Sequence, residues 1–505
     1  MTRFRRFRPV ALATLALGLA GPLVLLGVPA QAARLVAAPY DFDGDGRTEL
    51  VVGAPRLAVS GHAAAGGLTV VSPTTRAKPR SSDARLFTQS TSGVDGASEH
   101  DDDFGSAVAS ADFDGDGYAD LAVGLPGEDF SGAKDAGAVT ILYGTSKGLS
   151  GKRSVQLSEP TGKSARARFG SALAVGDLNH DGYPDLAVGA PDEDVEATPG
   201  DAYASGRVTV LLSGRTGVGG KGSLALRGVR GTSEPDTAFG TGLAVSDVDA
   251  DSRDDLVVLS GGYDSSEDDG LPGSLSFCAG AGPVSPTGCR RLVRSDDLRG
   301  GSALVVGDVA GSSRPEIVVG GGSDPEFDPG HVEVATLSGV GASTTAATTL
   351  LDDHDHDLGL ESGGGFGDAL TLGQVGGDSH ADLVIGGWAQ DEGDDPAGGR
   401  VFVVRGGPSG LATTGNVTYD QDTPGVPGSA EPGDSFGRAV TLSDRDGDGR
   451  PDLVVGAPGE DGTGRVTTLR GTGSGFTTTG SGTFGLSDLG VQGGAGADFG
   501  SVLGR

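Results

Sequence analysis

Short apolar runs separated by polar, glycine-rich loops recur along this chain. The clearest instance is FGSAVASADFDGDGYADLAVGLPGED, residues 104–129. Phe-Gly opens the apolar run AVASA, and alternating carboxylates follow at Asp112, Asp114, Asp116 and Asp120. A second apolar run, LAVG, ends in a turn containing proline. Two further runs, AVTILYG at 138–144 and SVQL at 154–157, complete the unit. Brief runs rich in Val, Ile, Leu and Ala, bounded by Gly and Asp, predict strands rather than helices.

The carboxylate loop starts at Asp41, Asp112, Asp177, Asp247, Asp308, Gln374 and Asp444, at intervals of 71, 65, 70, 61, 66 and 70 residues. Phe-Gly stands eight residues before it at Phe104, Phe169, Phe239, Phe366 and Phe436, and Gly300-Gly301 takes that place in the fifth repeat. A near-constant period of this length suits four short strands with their turns. Seven such sheets arranged radially make an all-β, seven-bladed β-propeller, which leaves few exposed strand edges. The two ends complement one another. The first repeat begins at its loop, DFDGDGRTELVVGAP, without a first strand, and the chain finishes on DFGSVLGR. The closing strand at 501–505 is therefore expected to complete a first blade built from residues 50–90. An open array would carry distinct capping repeats instead.

The first 32 residues read as a secretory signal. Arg3, Arg5, Arg6 and Arg8 precede an apolar run from 11 to 28, and Ala30-Gln31-Ala32 forms a small-residue cleavage site. The competing reading, an uncleaved membrane anchor, is opposed by Gly21-Pro22 inside the run. The expected domains are a signal peptide at 1–32 and a single propeller at 33–505. Secretion, with no membrane span in the mature chain, is the expectation. The arginine-, alanine- and glycine-rich usage resembles a GC-rich bacterial secretome. A net charge of −32 disfavours nucleic acid, whose phosphates it would repel. Cys278 and Cys289 flank the turn-rich AGAGPVSPTG, and an even cysteine count in an exported chain points to a disulfide across a hairpin.

Hard oxygen ligands alternating on a tight loop suit Ca²⁺. In the second repeat Asp112, Asp114, Asp116 and Asp120 stand at positions one, three, five and nine, Gly117 at six, and the backbone carbonyl of Tyr118 can serve position seven. The first repeat offers Asp41, Asp43, Asp45 and Glu49. The third offers Asp177, Asn179, Asp181, Asp185 and the carbonyl of Tyr183. The seventh offers Asp444, Asp446, Asp448, Asp452 and the carbonyl of Arg450. The fourth keeps Asp247, Asp249, Asp251 and Asp255 but has Ser252 where glycine is preferred. The fifth has Ala310 and Ser312, and the sixth Gln374 and Gly376, at ligand positions. Four Ca²⁺ sites are expected, a fifth is conceivable in repeat four, and none is expected in repeats five and six. An EF-hand would need a carboxylate at position twelve, where Val52, Val123, Val188 and Val455 stand. The sites read as structural: no loop carries a general base of distinct type.

Phe-Gly, the DxDxDG loop and Gly-Ala-Pro at 53–55, 189–191 and 456–458 together resemble the FG-GAP repeats of the integrin α-chain propeller. The likeness is specific in repeats one, two, three and seven and degraded in four to six. It implies Ca²⁺ loops on one face and ligand binding on the other. The opposite-face loops would be 127–136, 192–205, 261–272, 388–399 and 459–464. Variable loops on a rigid scaffold are the usual place for recognition. The implied function is an extracellular binding or adhesion module for an unidentified protein or glycan.

Three further features invite chemistry. Gly144-Thr145-Ser146-Lys147-Gly148 matches GxSxG, but that motif needs a strand-to-helix elbow, and strands are expected on both sides here. Asp352-Asp353-His354-Asp355-His356-Asp357 could take Zn²⁺ or Cu²⁺, or be a solvated acidic loop. Trp388 could stack on sugar or simply pack. The expectation is a non-enzyme, with a propeller-scaffold hydrolase or lyase, or a lectin, as alternatives.

Overall fold

The computed structural model describes residues 37–193, 205–228, 237–262, 272–280, 289–312, 314–321, 330–339, 345–351, 365–387, 398–412 and 414–504. The proposed signal segment, the histidine cluster at 352–357, Trp388 and parts of the opposite-face loops lie outside these residues.

Seven sheets of four antiparallel strands form the propeller. Blade two runs through Val108–Ala111, Asp120–Leu125, Ala138–Tyr143 and Ser150–Leu157 in sequence order. Blades three to seven repeat that order. Blade one differs: its inner strand is Val502–Gly504, paired antiparallel to Leu50–Ala54, followed by Gly67–Val71 and Ala84–Phe87. The C-terminal strand thus closes the ring, and the described residues contain short 3₁₀ turns but no α-helix.

The second strand of each blade is buried on both sides, which explains its unbroken apolar run. In blade two Leu121 and Val123 pack with Val51, Leu68 and Val70 of blade one. Ala122 faces the other way, towards Leu186 and Val188 of blade three. The core is therefore a ring of inter-blade seams, five of them plugged by a fully buried phenylalanine, Phe104, Phe169, Phe239, Phe436 or Phe499, and a sixth by Phe366. Burying one such side chain contributes about 1.5–3 kcal/mol.

The Phe-Gly dipeptide is also a backbone joint. The Phe104 N–H donates to the Ala65 carbonyl of blade one, and the Gly105 N–H to the Gly124 carbonyl of its own blade, at 3.3 and 3.0 Å. Gly105 needs φ +95°, a left-handed value that favours glycine. Cys278 and Cys289 are paired as a disulfide with Cα atoms 4.2 Å apart, joining the ends of the third and fourth strands of blade four.

Candidate metal loops

The carboxylate loops of blades two to seven join the first two strands of their blade, loop one leads into Leu50–Ala54, and each coils around its own side chains. In loop two Asp112 accepts the Asp116 N–H at 3.0 Å and the Gly117 N–H at 3.1 Å. The same bonds run from Asp181 and Gly182 to Asp177, from Asp251 and Ser252 to Asp247, and from Asp448 and Gly449 to Asp444. In loop one Gly46 N–H donates to Asp41 at 3.0 Å, and Arg47 N–H to Asp45 at 2.8 Å. Tyr118, Tyr183 and Arg450, at position seven, donate their N–H groups to the position-five carboxylates at 3.1, 3.1 and 2.9 Å. This winding turns the side-chain oxygens towards a common centre.

Four triples place one carboxylate oxygen apiece within 4.8 Å of the others: Asp41, Asp43 and Asp45; Asp112, Asp114 and Asp120; Asp247, Asp249 and Asp251; Asp444, Asp446 and Asp452. Glu49, Asp116, Asp255 and Asp448 fall outside these triples. Loop three substitutes an amide at position three, and the Oδ1 of Asn179 is buried with no hydrogen-bond partner. Asp41 Oδ1 in loop one is orphaned in the same way. Buried acceptors aimed at no donor fit a cation, because leaving them unmade is costly.

The position-nine carboxylate does something else as well. Asp120 accepts the Phe113 N–H at 3.0 Å and the Gly144 N–H, beyond the third strand, at 2.8 Å. Asp255 does this with Val248 and Gly280, and Asp452 with Arg445 and Gly471. Ser213 N–H donates to Asp185, and Phe42 N–H to Glu49. The clip persists where the rest of the loop has degenerated: Glu316 takes the Val309 N–H, and Asp382 takes those of Val375 and Gly406. The ligand pattern accounts for position nine only as a metal donor and does not reach Glu316 and Asp382. Their regular spacing from the Phe-Gly site was the available signal.

Burial dominates the titration of these groups. It pushes Asp120 up to about 8, and Glu49, Asp185 and Asp255 up to about 7, with neighbouring loop carboxylates adding to the rise. Asp452 is raised for the same first reason. Divalent charge at the centre would reverse this cost.

Cationic side chains already reach several loops. Arg153 contacts Asp114 at 2.7 Å and Lys221 contacts Asp181 at 2.7 Å, each with its charge over a tyrosine ring. Arg450 pairs with Asp448 at 3.2 Å, and Arg470 pairs with Asp446.

On the other face, loops 127–136 and 459–464 are described. A glutamate four residues after the glycine of the closing turn, buried at 128 and 193 and half-buried at 460, is held by a polar side chain, across a blade seam at Glu128 and Glu460 and within blade three at Glu193. Glu128 accepts from Gln89 Nε2 of blade one at 2.8 Å, Glu193 pairs with Arg207 at 3.0 Å, and Glu460 accepts from Gln421 of blade six. The spacing Gly124–Glu128, Gly189–Glu193 and Gly456–Glu460 was readable, but its partner was not. Lys163 Nζ lies 3.5 Å from the Phe130 ring centre at the rim of this face. Ser146 sits in a hairpin: Thr145 Oγ1 donates to the Gly148 carbonyl at 2.8 Å between the third and fourth strands of blade two. That geometry is not a strand-to-helix elbow.

The FG-GAP repeat family matches residues 34–71, 104–142, 169–211 and 436–469, which fall in blades one, two, three and seven. The chain is 37% identical over 165 residues to the phosphatidylinositol-glycan-specific phospholipase D of Mus musculus, covering 31% of this chain and 18% of that protein. It is 31% identical over 224 residues to integrin alpha-8 of Homo sapiens, covering 43% of this chain and 18% of the integrin. It is 34% identical over 159 residues to integrin alpha-PS5 of Drosophila melanogaster, covering 31% and 14%. The matched region spans under a fifth of each relative.

Proposed function

We propose that this chain, an FG-GAP repeat protein resembling the propeller of integrin alpha chains, is a secreted, calcium-stabilised binding or adhesion module. Residues 1–32 act as its signal and 33–505 as one propeller. The observation that carries the calcium reading is the convergence of carboxylate triples in loops one, two, four and seven, with orphaned buried acceptors at Asp41 and Asn179. Calcium is held in loops one, two, three and seven by the residues at positions one, three, five and nine, joined in loops two, three and seven by the position-seven carbonyl, and in loop four by Asp247, Asp249, Asp251 and Asp255. The ion neutralises the crowded carboxylates and stabilises the native ring by mass action. These residues bind and brace; no step of bond making is assigned to them.

Recognition belongs to the opposite face, whose loops stand on glutamate staples. The ligand class is an extracellular protein or glycan. Differential scanning in chelator and in Ca²⁺ tests the metal. A melting temperature that calcium does not raise would end that reading. Capture of one ligand class by the Ca²⁺-loaded protein, lost on changing loop 127–136 but not on changing the outer strands, tests the binding face.

A second reading, hydrolase, draws on the phospholipase relatives alone. An assay on phosphatidylinositol-glycan, repeated with Ser146→Ala, separates it. Release of product abolished by that substitution would replace the binding reading.

A further inference from the structure

Blade six keeps part of its loop: Asp378 at position five and Asp382 at position nine. Asp382 is fully buried, and Arg405 Nη1 lies 3.3 Å from its Oδ2. The same guanidinium donates through Nη2 to the Ser474 carbonyl of blade seven at 2.6 Å. A Cβ on Gly376, the position-three residue, would fall against Arg405 Nη1. The cationic group therefore fills the space beside position three, where the intact loops carry a ligand side chain. Arg405 stands just before Gly406, which donates to Asp382. Arg470 stands just before Gly471, which donates to Asp452 in blade seven. The two arginines are thus structural equivalents, and Arg470 pairs with Asp446, the position-three carboxylate of an intact loop.

We propose that the residue closing the third strand acts as a tethered cation: Arg405 permanently replaces the metal in blade six, and Arg470 competes with it in blade seven. A guanidinium supplies charge and directed donors to carboxylates in a fixed planar array. It cannot satisfy a spherical set of oxygen ligands, so the two occupants exclude one another. Blade six is braced at any calcium concentration, whereas calcium at loop seven has to displace Arg470. The blade-seven half rests on the calcium reading above. The blade-six half does not need calcium in the native chain.

The test counts bound calcium on the full chain by equilibrium dialysis, with folding checked by circular dichroism. Gln374→Asp with Gly376→Asp restores carboxylates at positions one and three while Arg405 remains, and the calcium count is expected to stay at the wild-type value. Adding Arg405→Ala is expected to raise the count by one. A gain with Arg405 still present, or no gain in the folded triple variant, would overturn the tethered-cation reading of blade six. Arg470, being partly exposed, gives an independent measurement should the triple variant not fold. Arg470→Ala is expected to tighten the loop-seven calcium site roughly twofold to fivefold. An unchanged or weakened site would overturn the blade-seven half. A wild-type chain that binds no calcium would sink the calcium reading itself, and the rebuilt blade-six loop still decides whether Arg405 excludes the ion.

Discussion

Ala250 and Ser252 hold left-handed backbone angles, φ 60° and 71°, at positions four and six of loop four. Loops one, two and seven use glycine at both places, with φ between 70° and 92°. The sequence pattern exposed the need at position six but not at position four, where His180 of loop three also takes φ 56°. A side chain in this region costs about 1–2 kcal/mol, part of which glycine returns through unfolded-state entropy. Replacing Ala250→Gly and Ser252→Gly together is expected to stabilise the chelated protein by roughly 1 kcal/mol and to tighten calcium at loop four, both read by scanning calorimetry. The buried carboxylates set a pH dependence. Asp120, pushed up to about 8, and Glu49, Asp185 and Asp255, pushed up to about 7, keep protons in the metal-free native state that the unfolded chain releases near its ordinary values. Stability from a raised carboxylate is present below its unfolded value and lost as pH rises through the folded one. The melting temperature in chelator should therefore fall from pH 5 to pH 8, while the increment from added Ca²⁺ grows over the same range. A flat chelator profile would contradict the burial of these groups.

Between blades, the Phe-Gly and Gly-Ala-Pro elements are two halves of one contact. A Cβ on Gly189, in the closing turn of blade three, would sit on the Gly240 carbonyl of blade four. Gly124 meets Gly170 in the same way. Gly189→Ala should cost about 1–3 kcal/mol by overpacking, measurable as a lower denaturant midpoint with unchanged calcium count. Blade four has Leu259 at the corresponding place, and the next blade has Gly300-Gly301 in place of Phe-Gly, so both halves of that seam changed together. Contacts of this kind were legible because each half demands one residue type at a fixed spacing. The disulfide partners and the four-strand period were legible for the same reason. Gln89 on Glu128, Arg207 on Glu193 and Arg405 on Asp382 were not. Each joins residues from separate strands or blades, and many polar residues could serve as the partner. Arg445 is the clearest case. It occupies position two, where Phe42, Phe113, Leu178 and Val248 stand elsewhere, and a buried arginine there has no meaning in sequence alone. In the fold its Nη1 donates to the Val71 carbonyl at 3.2 Å, across the seam where the ring closes.

That closing seam decides whether seven blades behave as one molecule. Only three residue pairs join Val502–Gly504 to the first blade: Val51 to Gly504, Val52 to Leu503 and Gly53 to Val502. The Gly500 N–H adds a bond to the Gly53 carbonyl at 2.9 Å, and the Phe499 N–H one to Thr463 of blade seven at 3.2 Å. Phe499 itself is fully buried among Leu50, Val52, Val466 and Phe484. The seam is small in hydrogen bonds and large in apolar contact, so the phenylalanine should dominate it. Phe499→Ala is expected to cost about 3–5 kcal/mol. Removing residues 499–505 should cost more and leave strand Leu50–Ala54 as a bare edge, which favours pairing between chains. Loop one, at 41–49, leads directly into that strand, so the truncated chain should also bind one calcium fewer than the wild type. Melting temperature, size-exclusion behaviour and calcium count are measured on the same preparations, with a peptide spanning 497–505 added in excess. Restoration of all three by the peptide would show that closure supports loop one. If the truncated chain kept its wild-type melting temperature, the blades would be held by their neighbours alone and the C-terminal strand would be dispensable.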